Sequence, residues 1–441
     1  MQYEPVIGLE IHVELKTKSK MFCGCKNDPF YAEKPNMYTC PVCFGLPGGL
    51  PVPNKKAIEW TILLGMALGS TIASFSKFDR KHYFYPDLAK GYQITQFDEP
   101  FCSGGFIKTS FGNVRIRRVH LEEDTGKLIH KTIVEKKVTL IDFNRSGVPL
   151  VEIVTEPDIH SSEQAKEFLK KLHQIVRYLE ISDADLEKGS MRLEPNISVW
   201  IKGSNEIPAY KVEVKNINSF KFVAAAIEYE FKRHVAILEE GKVPVQETRG
   251  WDEGKNATVS QRKKEGASDY RYFPEPDIPP LRFTKEYIEA LRNKLPKLAD
   301  EVKDDIIKAY GLNDYQGTIL VENVPMLSLF QGTVSLPSIQ QANISGTTIA
   351  NWVINKVTDF SGTAPIDLAN QIIGSKTVVV SDSELKAVIL NVLEENPKAV
   401  SDYKAGKEQS AMFLMGMVRR QLPNVDTNVI LEAVKAALKN V

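Results

Sequence analysis

The sequence predicts an α+β protein, sheet-based at the front and helical at the back. Three observations carry this. The first 160 residues alternate apolar and polar positions in short runs broken by Gly, Pro and Asp, the pattern of half-buried strands. Amphipathic helices interrupt and follow those runs, with apolar residues three or four apart. Beyond Pro279-Pro280 the texture changes to successive helices.

The opening run, Val6 to Leu15, sets Leu9, Ile11, Val13 and Leu15 on one face of a strand and Glu10, His12 and Glu14 on the other. Pro53-Asn54 opens a first helix with Ile58, Ile62, Leu63, Met66 and Ala67 as its stripe. A second follows Ser161, where Ser161 and Gln164 resemble a capping box and Ala165, Phe168, Leu169, Leu172, Ile175, Val176 and Leu179 recur at helical spacing. Strands return at 191–201 and 209–215. A third helix starts near Ser219, with Phe220, Val223, Ile227, Phe231 and Val235 on one side. The stretch 241–283 reads as loop. Polar breaks fall around 331–346 and 374–383, so boundaries are placed near 283 and 374. No period of 20–50 residues recurs, although Glu-Pro-Asp-Ile stands at both 156–159 and 275–278.

At 441 residues, 43% apolar and 25% charged, the chain has room for about three domains. Its 56 basic and 56 acidic residues leave no net charge, so any nucleic acid must be held by a local patch, and nothing suggests DNA. The uncharged, apolar-rich run Trp60 to Phe75 is too short and too polar to span a bilayer. With no leader-like start, the expected setting is cytoplasmic and free of membrane.

Four of five cysteines, Cys23, Cys25, Cys40 and Cys43, form Cys-x-Cys and Cys-x-x-Cys pairs around a short loop. Two such pairs converge on one tetrahedral ion, and four thiolates suit a closed, structural Zn²⁺; two disulfides are the alternative. Cys102, before Ser-Gly-Gly, has no neighbouring base and reads as a buried thiol rather than a nucleophile.

The same alternation places carboxylates on other strands. Arg118, His120, Glu122 and Asp124 share a face, Glu152 stands alone in apolar Pro149–Val154, and Lys211, Glu213 and Lys215 alternate with Tyr210, Val212 and Val214. A lone charge in an apolar strand is costly unless paired or bound to metal. If these strands share one sheet, Glu10, His12, Glu122, Glu152 and Glu213 make an acidic cup suited to Mg²⁺ carrying ATP phosphates. The plainer alternative is a solvated sheet face. No glycine-rich phosphate loop, dinucleotide fingerprint or nucleophile elbow occurs.

These segments resemble the GatB family, one of the component chains of tRNA-dependent amidotransferases. The resemblance rests on Val6–Leu15, Lys77–Asp87, Gly91–Gln96, His120–Lys127, Asp142–Gly147, Val151–Asp158, Lys215–Phe220, Gln246–Arg249 and Asp269–Asp277, with a weaker match at Gly406–Arg420. It implies a glutamine-synthetase-like antiparallel-sheet cradle with the zinc knuckle at 23–43 (residues 1–283), then an all-α domain (284–373) and a small helical tail (374–441). The resemblance also implies that this chain lacks one helical unit, between Trp352 and Val378, that longer relatives carry.

The implied activity is ATP-dependent phosphorylation of the side-chain carboxylate of Glu on tRNA(Gln), or Asp on tRNA(Asn), then amidation by ammonia. His12, Glu122 and Glu152 would hold Mg²⁺, Glu10 and Glu213 would support them, and Lys81 would stand at the mouth of an ammonia channel. The family's amidase partner, GatA, would supply ammonia from glutamine, and the small partner GatC would complete a heterotrimer. The tail would grip tRNA through shape and local residues such as Arg419 and Arg420, since 374–441 holds nine basic and eight acidic residues. Two rival readings remain at this point: a ligase for a free small carboxylate, and a non-catalytic zinc-knuckle RNA adaptor.

Overall fold

The computed structural model describes residues 2–203, 208–263, 270–376, 382–422, 425 and 427–440. Contacts divide the chain into two compact units, Met1–Ala299 and Asp300–Val441.

The front unit has strands β1 (Tyr3–Glu14), β2 (Thr71–Ile72), β3 (Phe75–Ser76), β4 (Asp79–His82), β5 (Tyr92–Thr95), β6 (Cys102–Ser103), β7 (Phe106–Thr109), β8 (Gly112–Glu123) and β9 (Lys127–Ile133). There follow β10 (Lys136–Asp142), β11 (Pro149–Thr155), β12 (Met191–Ile201), β13 (Val212–Lys215), β14 (Glu247–Asp252), β15 (Ala257–Lys263), β16 (Phe273–Pro274) and β17 (Leu281–Arg282). Its helices are α1 (Lys55–Ala67), α2 (Ser162–Tyr178), α3 (Phe220–Glu239) and α4 (Lys285–Arg292).

The main sheet runs β15-β14-β13-β12-β1-β11-β8-β6-β2, with β7 also on β8. β1 lies near its middle, paired antiparallel to β11 and β12. Leu9, Ile11 and Val13 face the core with Leu121, Val151, Ile153 and Leu193, against Phe168, Leu169 and Leu172 of α2 and Val223 and Ile227 of α3. One sheet face is therefore apolar and helix-covered, and the polar residues of β1, β8, β11 and β12 share the other.

Two differences from the sequence reading matter. The sheet is mixed, not purely antiparallel: β13 and β14 are parallel, joined by the α3 crossover, as parallel neighbours require. And the stretch 241–283 holds a hairpin, β14–β15, which extends the sheet. Its alternation is weak because Gly250 and Trp251 sit where polar and apolar positions would show.

Side-chain caps start the helices where the sequence placed them. Asn54 accepts from the Lys56 and Ala57 N–H groups, Ser161 from Gln164 and Ser219 from Phe222. Gln164 completes no capping box, because its Oε1 accepts from His160 N (3.0 Å), one residue earlier than the box requires. The buried side of α3 is also rotated from the expected stripe: its last turns bury Glu230 and His234, while Phe231 and Val235 are only partly covered. Both Glu-Pro-Asp-Ile copies anchor arginines, Glu156 and Asp158 taking Arg117 and Arg115, Glu275 and Asp277 sharing Arg80.

Helix α4 belongs with the front unit, since Leu291 joins its core, so that unit extends past residue 283. The second unit is helical throughout its described residues. The polar stretch 331–346 is not one break, for the short helix Pro337–Gln341 lies between Val324–Val334 and Gly346–Lys356. The break at 374–383 lies partly outside the described residues, as does Asp269 of the Asp269–Asp277 motif. Within 382–440, Leu385, Ile389, Val392, Leu414, Val418, Ile430, Val434 and Leu438 form a core of their own. Among the described residues no helix is long and apolar enough to cross a membrane.

Candidate active site

The polar face of the main sheet carries two cross-strand rows. In the first, His12 lies opposite Arg192 on β12 and Glu152 on β11, and Glu152 lies opposite His120 on β8. In the second, Glu10 lies opposite Glu194 and Val154, and Val154 opposite Arg118. Directly opposed strand residues stand close enough for side chains to meet.

They do meet. His12 Nε2 lies 3.7 Å from Glu10, 3.8 Å from Glu122 and 3.6 Å from Glu152. His120 Nε2 lies 3.2 Å from Glu152 and 3.7 Å from Glu122. Arg118 reaches Glu152 at 3.9 Å, and Thr95 on β5 donates to Glu122 Oε2 at 3.0 Å. Glu122 and Glu152 are buried, and His12 is nearly so.

Arg118 faces this site because β8 carries a bulge. The β11 register slips between Val154 and Thr155, which face Arg118 and Ile116, leaving Arg117 over. Ile116 and Val119 can then both enter the core, three residues apart.

Electrostatics follow from this crowding. Burial opposes charge on His12, but Glu152, Glu194 and Glu10 outweigh it and push its pKa up to about 9. His120 is likewise raised by Glu152 and Glu122 against its burial. Despite burial, His120 and His12 hold Glu152 well below the usual carboxylate range, and Glu122 is lowered chiefly by its contact with His120. Glu10 moves the other way, up to about 7, through burial and the Glu152 charge.

Ligand atoms of His12, Glu122 and Glu152 lie within 4.8 Å of one another, and a second such trio is Glu10, His12 and Glu194. Clustered buried carboxylates with an imidazole, flanked by Arg118, suit a hard divalent cation and an anion bound to it. His12 Nδ1 and His120 Nδ1 are buried with no hydrogen-bond partner among the described residues.

Glu213 lies at the side of this cluster. It accepts from Thr248 Oγ1 (2.8 Å) and pairs with Lys215 (3.3 Å), which also pairs with Glu194 (2.8 Å). Among the described residues Lys81 on β4 makes no direct ion pair; its ammonium sits 5.0 Å from the Tyr270 ring and 6.0 Å from that of Tyr83. Burial opposes its charge, yet Glu122 and Glu152 are near enough to raise its pKa. His120, Arg118, Thr95 and Glu194 were not singled out as site residues from sequence. His120 and Glu194 carried a signal, since each alternates with core residues; which strands they face did not show.

The cysteines gather as their spacing predicts. All four Sγ atoms lie within 4.8 Å of one another, with Cys43 at 3.3 Å from Cys23, 3.6 Å from Cys40 and 3.7 Å from Cys25. Thiolates at about 2.3 Å from a tetrahedral Zn²⁺ are about 3.8 Å apart, so the set fits that ion. All five cysteines are free thiols. Cys102 is buried against the Thr61 carbonyl (3.7 Å) and its pKa is pushed up by burial, which suits a core thiol and not a nucleophile.

Comparison with known proteins decides the family. Residues 5–289 match the GatB/GatE catalytic domain, and residues 333–438 match the GatB domain. The chain belongs to the GatB family. Relatives named as the B component of the aspartyl/glutamyl-tRNA(Asn/Gln) amidotransferase are 44% identical in Dehalococcoides mccartyi, over 99% of each chain, and 43% identical in Thermosipho melanesiensis, over 96% of each. A third, from Caldanaerobacter subterraneus, is 41% identical over 96% of each chain. The 490-residue Dehalococcoides alignment is longer than this 441-residue GatB chain, so that relative carries residues with no counterpart here.

Proposed function

We propose that this chain is the ATP-using component of a tRNA-dependent amidotransferase and converts Glu on tRNA(Gln), or Asp on tRNA(Asn), to the amide. The observation that carries the reading is the His12–Glu122–Glu152 trio, drawn from three adjacent strands of a family-matched domain.

A carboxylate resists ammonia because oxide would have to leave. Transfer of the γ-phosphoryl group of ATP to the side-chain oxygen gives an acyl phosphate and ADP. Ammonia then attacks the carbonyl carbon, phosphate departs, and the amide nitrogen loses a proton. His12, Glu122 and Glu152 would hold Mg²⁺, with Glu10 and Glu213 supporting the set. Bound there, the metal would offset phosphate charge and help align the transferring group. Arg118, at the edge of the cup 3.9 Å from Glu152, would offset the charge of the transferred phosphoryl group. Lys81, over Tyr270 and Tyr83, lines the approach of ammonia, which must arrive without bulk water because acyl phosphates hydrolyse.

The amidase partner GatA supplies that ammonia, the small partner GatC completes the heterotrimer, and the tail 374–441 grips the tRNA body; a tRNA substrate sets the reaction in the cytoplasm. The four thiols would hold a structural Zn²⁺.

The test is ATP-dependent amidation of mischarged Glu-tRNA by this chain with GatA and GatC, ammonium as nitrogen source, beside Glu152→Gln. Loss of one charge-stabilising ligand is expected to lower turnover about 10²–10³-fold. Equal product from both proteins would remove Glu152 from the site; product from neither, with Asp-tRNA also inert, would overturn the activity.

A further inference from the structure

Lys20 is fully buried, an unusual place for a lysine. Its Nζ donates to the carbonyls of Tyr38 (2.7 Å) and Phe143 (3.1 Å) and lies 3.8 Å from Cys43 Sγ. None of these contacts is a carboxylate. The carboxylate across Gly147, Glu123, bonds through its Oε1 to Lys90 and the Ile94 N–H, and makes no ion pair with Lys20. Carbonyl dipoles solvate an ammonium but do not neutralise it, and an uncompensated buried charge is expensive.

Four thiolates around one Zn²⁺ carry a net charge of minus two. We propose that Lys20 is the built-in counter-ion of this metal–thiolate cluster, so that metal loading and docking of the knuckle onto the 142–147 segment are one event. The inference rests on the zinc reading above. Lys20 bridges the two parts, one carbonyl on each. Around it, Tyr38 N donates to Asn144 Oδ1 (2.8 Å), Phe143 N to Asn36 Oδ1 (2.7 Å), Asn144 Nδ2 to Lys34 O (2.8 Å) and Met21 N to Gly147 O (2.7 Å). The same segment carries Arg145, 3.8 Å from Asp124, which also holds Arg192 opposite His12. Charge balance at the knuckle therefore supports one wall of the acidic cup.

The test uses the full chain as wild type, Lys20→Met, Lys20→Gln and Lys26→Met, the last removing an exposed knuckle lysine paired with Asp28. Zinc affinity is read by competition with a chromophoric chelator, and melting is followed with zinc and after chelation. Lys20→Met is expected to bind zinc about 10–100-fold more weakly, with Lys26→Met unchanged. Zinc-loaded Lys20→Met should melt below wild type, while the stripped form should melt at or above stripped wild type, because the uncompensated charge is gone.

Equal zinc affinity, or equal destabilisation of loaded and stripped forms, would overturn the counter-ion role. Wild type that binds no zinc would instead sink the zinc reading, and the two failures are told apart on wild type alone. If Lys20→Met does not fold, Lys20→Gln, which keeps donors without charge, is measured in the same way. Failure of both to fold without zinc would also overturn the proposal.

Discussion

Replacing Glu230 by Gln should cost the front unit about 3 kcal/mol near pH 7, and the cost should shrink in acid. Glu230 is fully buried on α3. Its carboxylate accepts from Arg233 (2.6 Å), pairs with His234 (2.9 Å) and Arg249 (3.1 Å), and takes a hydrogen bond from Thr258. Although burial opposes ionisation, His234, Arg233 and Thr258 hold its pKa at about 2 against an ordinary 4.5. That difference is worth about 3 kcal/mol at ~1.36 kcal/mol for each tenfold change in proton affinity. The sign follows from the direction. A depressed carboxylate stabilises the fold above its unfolded pKa of 4.5 and loses that contribution as pH falls through 2, so about 1.5 kcal/mol remains at pH 3.

Breaking a buried ion pair by removing one partner costs about 3–5 kcal/mol, which agrees. Because Arg249 and Thr258 lie on β14 and β15, the loss should be local. Hydrogen exchange of the β14 and β15 amides at pH 7 should quicken by about two powers of ten, while β1 and β11 change less. Urea unfolding at pH 7 and pH 3 supplies the pH arm. A loss below about 1 kcal/mol at pH 7, or the same loss at pH 3, would refute the reasoning.

Other expectations follow from the same geometry. Binding of Mn²⁺ or Mg²⁺ must displace the proton of His12, whose stabilising charge is present below 6.5 and lost as pH rises through about 9; affinity measured calorimetrically should therefore rise between pH 6 and 9, by up to about tenfold per unit. Lys81→Met should lower amide formation while ATP hydrolysis persists, measured side by side; parallel loss of both would move Lys81 from ammonia delivery to phosphoryl transfer. Gly65→Ala should lower the melting temperature although Ala favours helix by about 1 kcal/mol, because a methyl there would lie 2.7 Å from Cys102 Cβ and nearer still to its Sγ; adding Cys102→Ala should restore part of the loss. Deleting 374–441 should abolish tRNA affinity and leave ATP binding intact, and unchanged tRNA binding would refute the role given to the tail.

What the sequence shows well is local and periodic. Alternation in Val6–Leu15 and Pro149–Val154 separates core from site residues, since side-chain facing in a strand has period two. Cysteine spacing brings four thiols together without any knowledge of the fold. Helix starts are legible at Asn54, Ser161 and Ser219, where one side chain caps the first turn.

What it hides is pairing. Nothing local says that Glu152 faces both His12 and His120, because register is settled by strands far apart in the chain. The β14–β15 hairpin is hidden for a related reason. Its anchor is Glu230 on α3, and a charged residue at a buried position looks in sequence like a break in the apolar stripe. Lys20 is hidden in the same way. Lysine reads as surface until the carbonyls and sulfur around it are seen.

The order of charges across the sheet is what would let the proposed site take both a cation and phosphate. Along the first row run Arg192, His12, Glu152 and His120; along the second, Lys215 with Glu194, then Glu10, Val154 and Arg118. Carboxylates gather at the centre, with Lys215 and Arg118 at the two ends of the second row and Arg192 at one end of the first. His12 and His120 stand among these carboxylates, whose charge raises the proton affinity of both imidazoles against their burial. A divalent cation that displaced protons from this cluster would change its charge by less than the ion's own charge. A one-residue slip of β1 would turn His12 into the core and Ile11 into the cup, destroying site and core together. Stability of the sheet and geometry of the site are therefore enforced by one register.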